Sequence, residues 1–196
     1  MSGTPAMFLD RDGVIIENAH YLERLSDVCL IPGAAQAIRR LNNAHVPVFV
    51  VTNQSGVARG YFPESFIRDT HAHLDEMLAL EGAHVDGWYF CPHHPSEGID
   101  GYRLDCACRK PKPGMLFAAA RDHDLDLSRS WLIGDNLTDC QAGAAAGCRT
   151  VLVRTGHGRS MMLPDDRTHL NLLAVVDALP DGVECVLQAN ASPKAA

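Results

Sequence analysis

The sequence predicts an α/β fold of three layers with a mostly parallel central sheet. Two observations predict it. Short apolar or β-branched runs alternate along the chain with longer segments of helical periodicity, the pattern of a sheet covered on both faces. Three of the strand segments also end in conspicuous polar residues, and an open parallel sheet binds its ligands outside those ends. Taken in order, Ala6 to Leu9 is a buried strand ending at Asp10. Pro32-Gly33 lead into a helix from Ala34 to Leu41, with Ala34, Ala37, Ile38 and Leu41 on one face. Val46 to Val51 is a second strand, running into Thr52-Asn53-Gln54-Ser55-Gly56. Pro63 to Leu80 is a long helix with Phe66, Leu74, Met77 and Leu78 as its apolar stripe, and Val85 to Phe90 is a third strand.

Pro113 to Ala120 begins another helix, with proline in its favoured first turn. Ser130 to Gly134 is a strand ending at Asp135, and Thr138 to Ala146 is an alanine-rich helix stopped by Gly147. Thr150 to Val153 makes a fifth strand, and Leu172 to Leu179 is expected as one more helix. From about Gln188 the chain reads as a frayed tail. No internal repeat and no linker divides residues 1–196, so a single domain is expected.

Composition narrows the function. A hydrophobic fraction of 46% is ordinary for a globular chain and argues against disorder. Seventeen basic against twenty-four acidic residues give a net charge of −7, which disfavours a nucleic-acid or anionic-membrane partner. The first residues lack the pattern of a signal peptide, and no apolar run approaches the roughly 18 residues of a membrane span. A cytoplasmic location is expected. Seven cysteines, an odd number with a close pair at Cys106 and Cys108, favour thiols or a metal over a disulfide framework.

The polar residues at the strand ends are Asp10-Arg11-Asp12-Gly13, Thr52-Asn53-Gln54-Ser55 and Gly134-Asp135, and Lys110 precedes a helix. Each has an ordinary reading alone: a turn, a helix-entry loop, acids at a helix N-terminus, a surface lysine. Their occurrence in order at successive strand ends gathers them at one edge. Carboxylates crowded there need a cation, and oxygen ligands without nearby imidazole suit Mg²⁺. Cys91-Pro92-His93-His94-Pro95 and Cys106-Ala107-Cys108 supply three thiolates and an imidazole, the ligand set of a structural Zn²⁺ site; free thiols on a loop are the alternative. Cys29, Cys140, Cys148 and Cys185 have no partner at metal spacing and are expected as small packing residues.

Four segments, Phe8 to Val14, Val51 to Gly56, Arg109 to Met115 and Ile133 to Asp139, resemble the ordered motifs of the haloacid dehalogenase superfamily. Within it the chain is similar to the D-glycero-D-manno-heptose 1,7-bisphosphate phosphatases, which are related to the histidinol-phosphate phosphatases. The resemblance spans about residues 6 to 158 and implies a Rossmann-like three-layer sandwich without a separate cap. It implies Asp10 as a nucleophile forming an aspartyl-phosphate, and Asp12 as the acid and then the base. Mg²⁺ would be held by Asp10, the Asp12 backbone carbonyl and Asp135, while Asp139 would hold Lys110 or a metal-bound water. Thr52 and Asn53 would bind the phosphoryl oxygens, with Lys110 balancing their charge in the transition state.

The same resemblance selects His93, with Cys91, Cys106 and Cys108, as the Zn²⁺ ligands, in a loop from about residue 91 to 108 that fixes Arg109 and Lys110. It implies a small phosphorylated substrate touched by Asn18, Ala19, His20, Tyr21, Gln54, Ser55 and Arg109. Arg109 suits a second anionic group, so a sugar bisphosphate is the preferred class. The implied activity is removal of the 7-phosphate from the heptose bisphosphate in nucleotide-heptose and lipopolysaccharide precursor synthesis, by a monomer. Histidinol phosphate or another small monophosphate remains open, as does a zinc-stabilised binding module without catalysis. A module that only binds has no need of a nucleophile and an acid together.

Overall fold

The computed structural model describes residues 3–18, 21–99 and 101–191. Strands β1 Met7–Leu9, β2 Val48–Asn53, β3 Gly87–Cys91, β4 Trp131–Gly134, β5 Arg149–Val153 and β6 Leu172–Val176 form one sheet. Their order is β3-β2-β1-β4-β5-β6 and every pairing is parallel, with Phe8 opposite Phe49 on one side and Leu132 on the other. The helices are α1 Ala34–Asn43, α2 Glu64–Leu80, α3 Gly114–His123, α4 Leu137–Ala145 and α5 Leu179–Ala191.

Strand side chains alternate between faces, and the alternation builds two cores. Met7, Leu9, Val48, Val50, Trp131, Ile133, Val151 and Val153 join Ile38 and Leu41 of α1, Leu74 and Leu78 of α2, and Val183 and Val186 of α5. Phe8, Phe49, Val51 and Leu132 join Met115, Leu116 and Ala119 of α3 and Ala142 of α4. The result is a helix–sheet–helix sandwich, and among the described residues between β1 and β4 the regular elements are α1, β2, α2, β3 and α3 with two short 3-10 turns. Strand order reverses between β1 and β4, so the crevice for a ligand opens at their carboxyl ends.

Two expectations fail. Leu172 to Leu179 is not a helix: Leu172–Val176 is the edge strand β6 beside β5, and a helix starts only at Leu179. A short unbroken apolar run carries no period to separate strand from buried helix. The chain from Gln188 to Ala191 is also not a frayed tail, because α5 continues through it, anchored by Leu179, Val183 and Val186, all fully buried. Residues 192–196 of the expected tail lie outside the described residues. The stripe of α2 is shifted as well. Ile67, Thr70, His71, Leu74 and Leu78 are its buried positions, while Phe66 and Met77 are half-buried at its flanks.

Helix α4 lies close on the sheet, which sets the position of the acids at its N-terminus. A Cβ on Gly143 would stand 2.6 Å from Thr150 Cγ2 and 3.2 Å from Leu132 Cβ. Thr150 cannot turn aside freely, because its hydroxyl donates to the Leu170 carbonyl at 2.8 Å. Gly143→Ala therefore has two opposed effects: helix propensity favours alanine by about 1 kcal/mol, and overpacking opposes it by about 1–3 kcal/mol. The expected outcome is net destabilisation, read as a lower midpoint in urea unfolding; a raised midpoint would show that α4 has room to move.

Candidate active site

The carboxyl ends of β1, β2 and β4 deliver Asp10, Thr52 and Asp135 to one cavity of about 330 Å³, with Arg109 and Lys110 in its wall. Lys110 is buried, and its Nζ lies 2.8 Å from Asp10 Oδ1 and 2.6 Å from Asp139 Oδ1. It also donates to the Val51 carbonyl at 2.7 Å. The ammonium thus gives one proton to a backbone carbonyl and is paired in charge with two carboxylates. Burial pulls the lysine pKa down, but Asp10 and Asp139 more than compensate, so the cation is held above its ordinary range.

Asn53 secures the lysine backbone from both directions: its Nδ2 donates to the Lys110 carbonyl at 3.1 Å, and its Oδ1 accepts from the Lys110 N–H at 3.0 Å. Asp139 works at two ends. Its Oδ1 meets Lys110, while Oδ2 accepts from the Asn136 N–H at 2.9 Å and completes a capping box on α4. The Asn136-x-x-Asp139 spacing was a legible signal for that cap.

Asp135 is almost fully buried, and its Oδ2 accepts the His157 N–H at 2.7 Å. Gly13 and Gly156 close around the same oxygen; a Cβ on either would lie 2.1 Å from it, and both have positive φ. Oxygens of Asp10, Asp135 and Asp139 all lie within 4.8 Å of one another. Burial, with Asp139 and Asp12 nearby, pushes Asp10 up to about 7 despite Lys110. Burial, with Asp10 and Asp139 nearby, pushes Asp135 up to about 8. Asp139 is committed to Lys110 and the cap, which leaves Asp10 and Asp135 to face a cation. Buried carboxylates that resist ionising alone fit a hard divalent ion with oxygen ligands.

Asp12 is the more exposed acid. Arg11 grips it, Nη2 lying 3.0 Å from Oδ2, and Gln54 Nε2 donates to Oδ2 at 2.8 Å. Thr52 Oγ1 stands 3.4 Å from the same oxygen and accepts from Gln54 at 2.8 Å. Asn53 and Gln54 also line the cavity, while their side chains hydrogen-bond to the Lys110 backbone and to Asp12. Asn18, Tyr21, Ser55 and Arg109 line the same cavity, joined by Phe62 and His157, which lie outside the sequence motifs. Tyr21 meets Tyr61 edge-on at 4.6 Å between ring centres. Ala19 and His20 lie outside the described residues. Arg11, between the two acids of the first motif, is buried and pairs with Asp12.

Cys91, His93, Cys106 and Cys108 converge beside this cavity, each offering one ligand atom within 4.8 Å of the others. Sulfur–nitrogen separations are 3.6 and 3.7 Å, and the closest sulfurs are 3.1 and 3.3 Å apart. A tetrahedron with metal–sulfur bonds of about 2.3 Å has edges of roughly 3.8 Å, so the set fits a small modest expansion around an ion. Hydrogen bonding with Cys91, Cys106 and His93 holds the Cys108 thiol down to about 5. The cluster reaches the cavity through Arg109, whose Nη1 donates to the His93 carbonyl at 3.1 Å.

Two family models match, one described as haloacid dehalogenase-like hydrolase over residues 7–79 and one as HAD-hydrolase-like over residues 107–181. The D-glycero-beta-D-manno-heptose-1,7-bisphosphate 7-phosphatase of Rhodopseudomonas palustris is 48% identical over 143 residues, 73% of this chain and 79% of that protein. The D-glycero-D-manno-heptose-1,7-bisphosphate 7-phosphatase of Thermosynechococcus vestitus is 49% identical over 158 residues, 79% of this chain and 81% of that one. Among solved structures, the D,D-heptose 1,7-bisphosphate phosphatase of B. bronchiseptica, complexed with magnesium and phosphate, superposes with a TM-score of 0.81 at 38% identity. It covers 95% of this chain and 99% of that one.

The raised carboxylates make metal binding visible in stability. In the metal-free chain, folded Asp10 and Asp135 keep protons up to about 7 and about 8, whereas unfolded aspartates lose them near 3.8. The folded state binds more protons across that window, so its stability falls as pH rises. A divalent cation favours the charged form and cancels the loss. Protein dialysed free of Mg²⁺, without a chelator, should gain more melting temperature from added Mg²⁺ at pH 8 than at pH 5; equal gains would count against a carboxylate cation site.

Proposed function

The chain belongs to the haloacid dehalogenase-like hydrolases, and from that membership we propose a phosphomonoester hydrolase that removes the 7-phosphate from D-glycero-D-manno-heptose 1,7-bisphosphate. The observation that carries the chemistry is the pair of carboxylates, Asp10 and Asp12, sharing one cavity with the buried cation Lys110. Asp10 attacks phosphorus, and the bond to the sugar oxygen breaks as Asp12 gives that oxygen a proton. Asp12 then takes a proton from the water that attacks the aspartyl-phosphate, which frees Asp10 and inorganic phosphate. Thr52 and Lys110 face the transferring oxygens, whose charge is greatest in the transition state. Asp10, Asp135 and the Asp12 carbonyl would hold Mg²⁺, which supplies further charge compensation when bound.

Cys91, His93, Cys106 and Cys108 would hold a structural Zn²⁺ that stands in for packing in the loop and fixes Arg109 to receive the substrate's second phosphate. Asn18, Tyr21 and Ser55 complete the contact surface, and Ala19 and His20, which stand between Asn18 and Tyr21 in the sequence, are proposed as further contacts. The substrate supports a place in nucleotide-heptose and lipopolysaccharide precursor synthesis, and hence in the cytoplasm. A monomer without nucleic-acid or membrane partners accords with the acidic charge of −7. Among the described residues, no helix is long and apolar enough to cross a membrane.

The direct test is phosphate release from a panel holding both anomers of the heptose bisphosphate, histidinol phosphate and simple sugar monophosphates. Fastest release from a heptose bisphosphate is expected, with Asp10→Asn lowering kcat by about a thousandfold or more. Preference for histidinol phosphate would move the substrate, and unchanged release by Asp10→Asn would remove the nucleophile. A second measurement addresses the loop: Cys106→Ser should lower both zinc content and kcat. Full activity in that variant without zinc would uncouple the cluster from the active site.

A further inference from the structure

Behind Asp12 lies a buried chain of polar groups that the chemistry so far does not use. Arg11 follows the nucleophile, yet its side chain is 3% exposed and turns inward beneath the cavity. Its guanidinium forks onto Asp12, with Nε 3.2 Å from Oδ2 and Nη2 3.1 Å from Oδ1. On the far side, Nη1 stands 3.4 Å from Nε2 of His71, in the middle of α2. A guanidinium only donates, so Nε2 must be the accepting nitrogen and the ring must be neutral. Burial and the adjacent Arg11 agree, pulling His71 down to about 3. The ring lies flat on Trp88 of β3 at 4.4 Å and 16°, and Trp88 Nε1 donates to Asp75 Oδ1, one turn along α2, at 3.0 Å.

We propose that Arg11 and His71 are positioning residues for Asp12, with His71 seating the guanidinium so that its fork presents the Asp12 carboxyl to the leaving oxygen. The proposal rests on the reading of Asp12 as proton donor. A buried arginine has many rotamers and needs an acceptor on its inner side to adopt one. The Trp88 stack fixes the His71 ring plane, the ring fixes Nη1, and the rigid guanidinium carries that constraint to Asp12. A carboxyl misplaced by about 1 Å loses much of its value as an acid, since proton transfer needs hydrogen-bond contact in the transition state.

Leaving-group chemistry separates this role from a general structural one. An alkoxide leaving from a sugar needs a proton as the P–O bond breaks, whereas p-nitrophenolate leaves without one. kcat/KM covers the steps through that cleavage and omits the later hydrolysis of the aspartyl-phosphate. Arg11→Lys, which loses the fork, and His71→Phe, which keeps the stack but loses the acceptor, should lower kcat/KM for the heptose bisphosphate by about 10–100-fold. For p-nitrophenyl phosphate the loss should stay within about threefold, and His71→Gln, which restores an acceptor, should recover most of the sugar-phosphate activity.

Equal losses on both esters, or none on either, overturn the positioning role. Melting temperatures identify any variant that fails to fold, and the contrast between His71→Phe and His71→Gln then decides the matter without Arg11→Lys. Asp12→Asn, assayed alongside, must show the same dependence on leaving group. If it shows none while the wild type turns over both esters, the assignment of Asp12 itself falls, which is distinct from a failure confined to Arg11 and His71.

Discussion

The buried ammonium of Lys110 is the contact on which the rest of the site depends. A buried lysine survives only where its charge is met, and Asp10, Asp139 and the Val51 carbonyl meet it. Four carboxylates, Asp10, Asp12, Asp135 and Asp139, crowd the same edge with two buried cations, Arg11 and Lys110. The acids outnumber the cations there, and the carboxyls left to face an added cation are the two pushed up to about 7 and about 8. An overall acidic chain is therefore no obstacle to an anionic substrate. The acidity is concentrated where cations offset it, and Arg109 adds a further positive group at the cavity wall.

The fold holds that charge balance from several directions. Strand β1 brings Asp10, β4 brings Asp135, and α4, capped by Asp139 itself, brings the second carboxylate to Lys110. Lys110 arrives on a connection without regular structure, and such a segment needs anchoring. Asn53 clasps its backbone on one side, and Cys108 ties the preceding residues into the thiol–imidazole cluster on the other. The cluster also reaches the sheet, since Cys91 is the last residue of β3 and is fully buried. A metal there would join the end of a strand to the residue before Arg109, so loop order and site geometry share one support.

Much of this was legible in the sequence because chemistry restricts residue types. Acids at successive strand ends of a parallel sheet are gathered at one edge by topology, and Cys-x-His with Cys-x-Cys supplies the soft ligand types that a metal takes. Strands with β-branched residues and helices with a clear period were legible for the same reason of restricted choice. Leu172 to Val176 was not, since five apolar residues fit a buried helix as well as an edge strand. Asn53 and Gln54 were legible as site residues but not in their orientation. A carboxamide at a strand end can face a substrate or a neighbour, and only the tertiary positions of Lys110 and Asp12 decide between them. His71 was hidden for a related reason: on α2 it occupies a core position, and its partner Arg11 is sixty residues away in sequence.

The two aspartates proposed to do the chemistry show how one residue type takes on two environments from its surroundings. Asp10 is enclosed, with Lys110 against one oxygen and Asp135 and Asp139 close by, so its carboxylate is oriented but short of compensating charge until a cation arrives. That suits a nucleophile whose charge must be spent on phosphorus. Asp12, two residues later, has a side chain 27% exposed and is gripped by a guanidinium and a carboxamide. That suits a group which must reach the leaving oxygen and then a water, while returning to one place between the steps. Arg11 and Lys110 thus divide between the two acids, the lysine against Asp10, the proposed nucleophile, and the arginine against Asp12, the proposed proton donor. Environments that separate paired carboxylates in this way are what distinguish a nucleophile from a proton donor when the sequence offers the same residue for both.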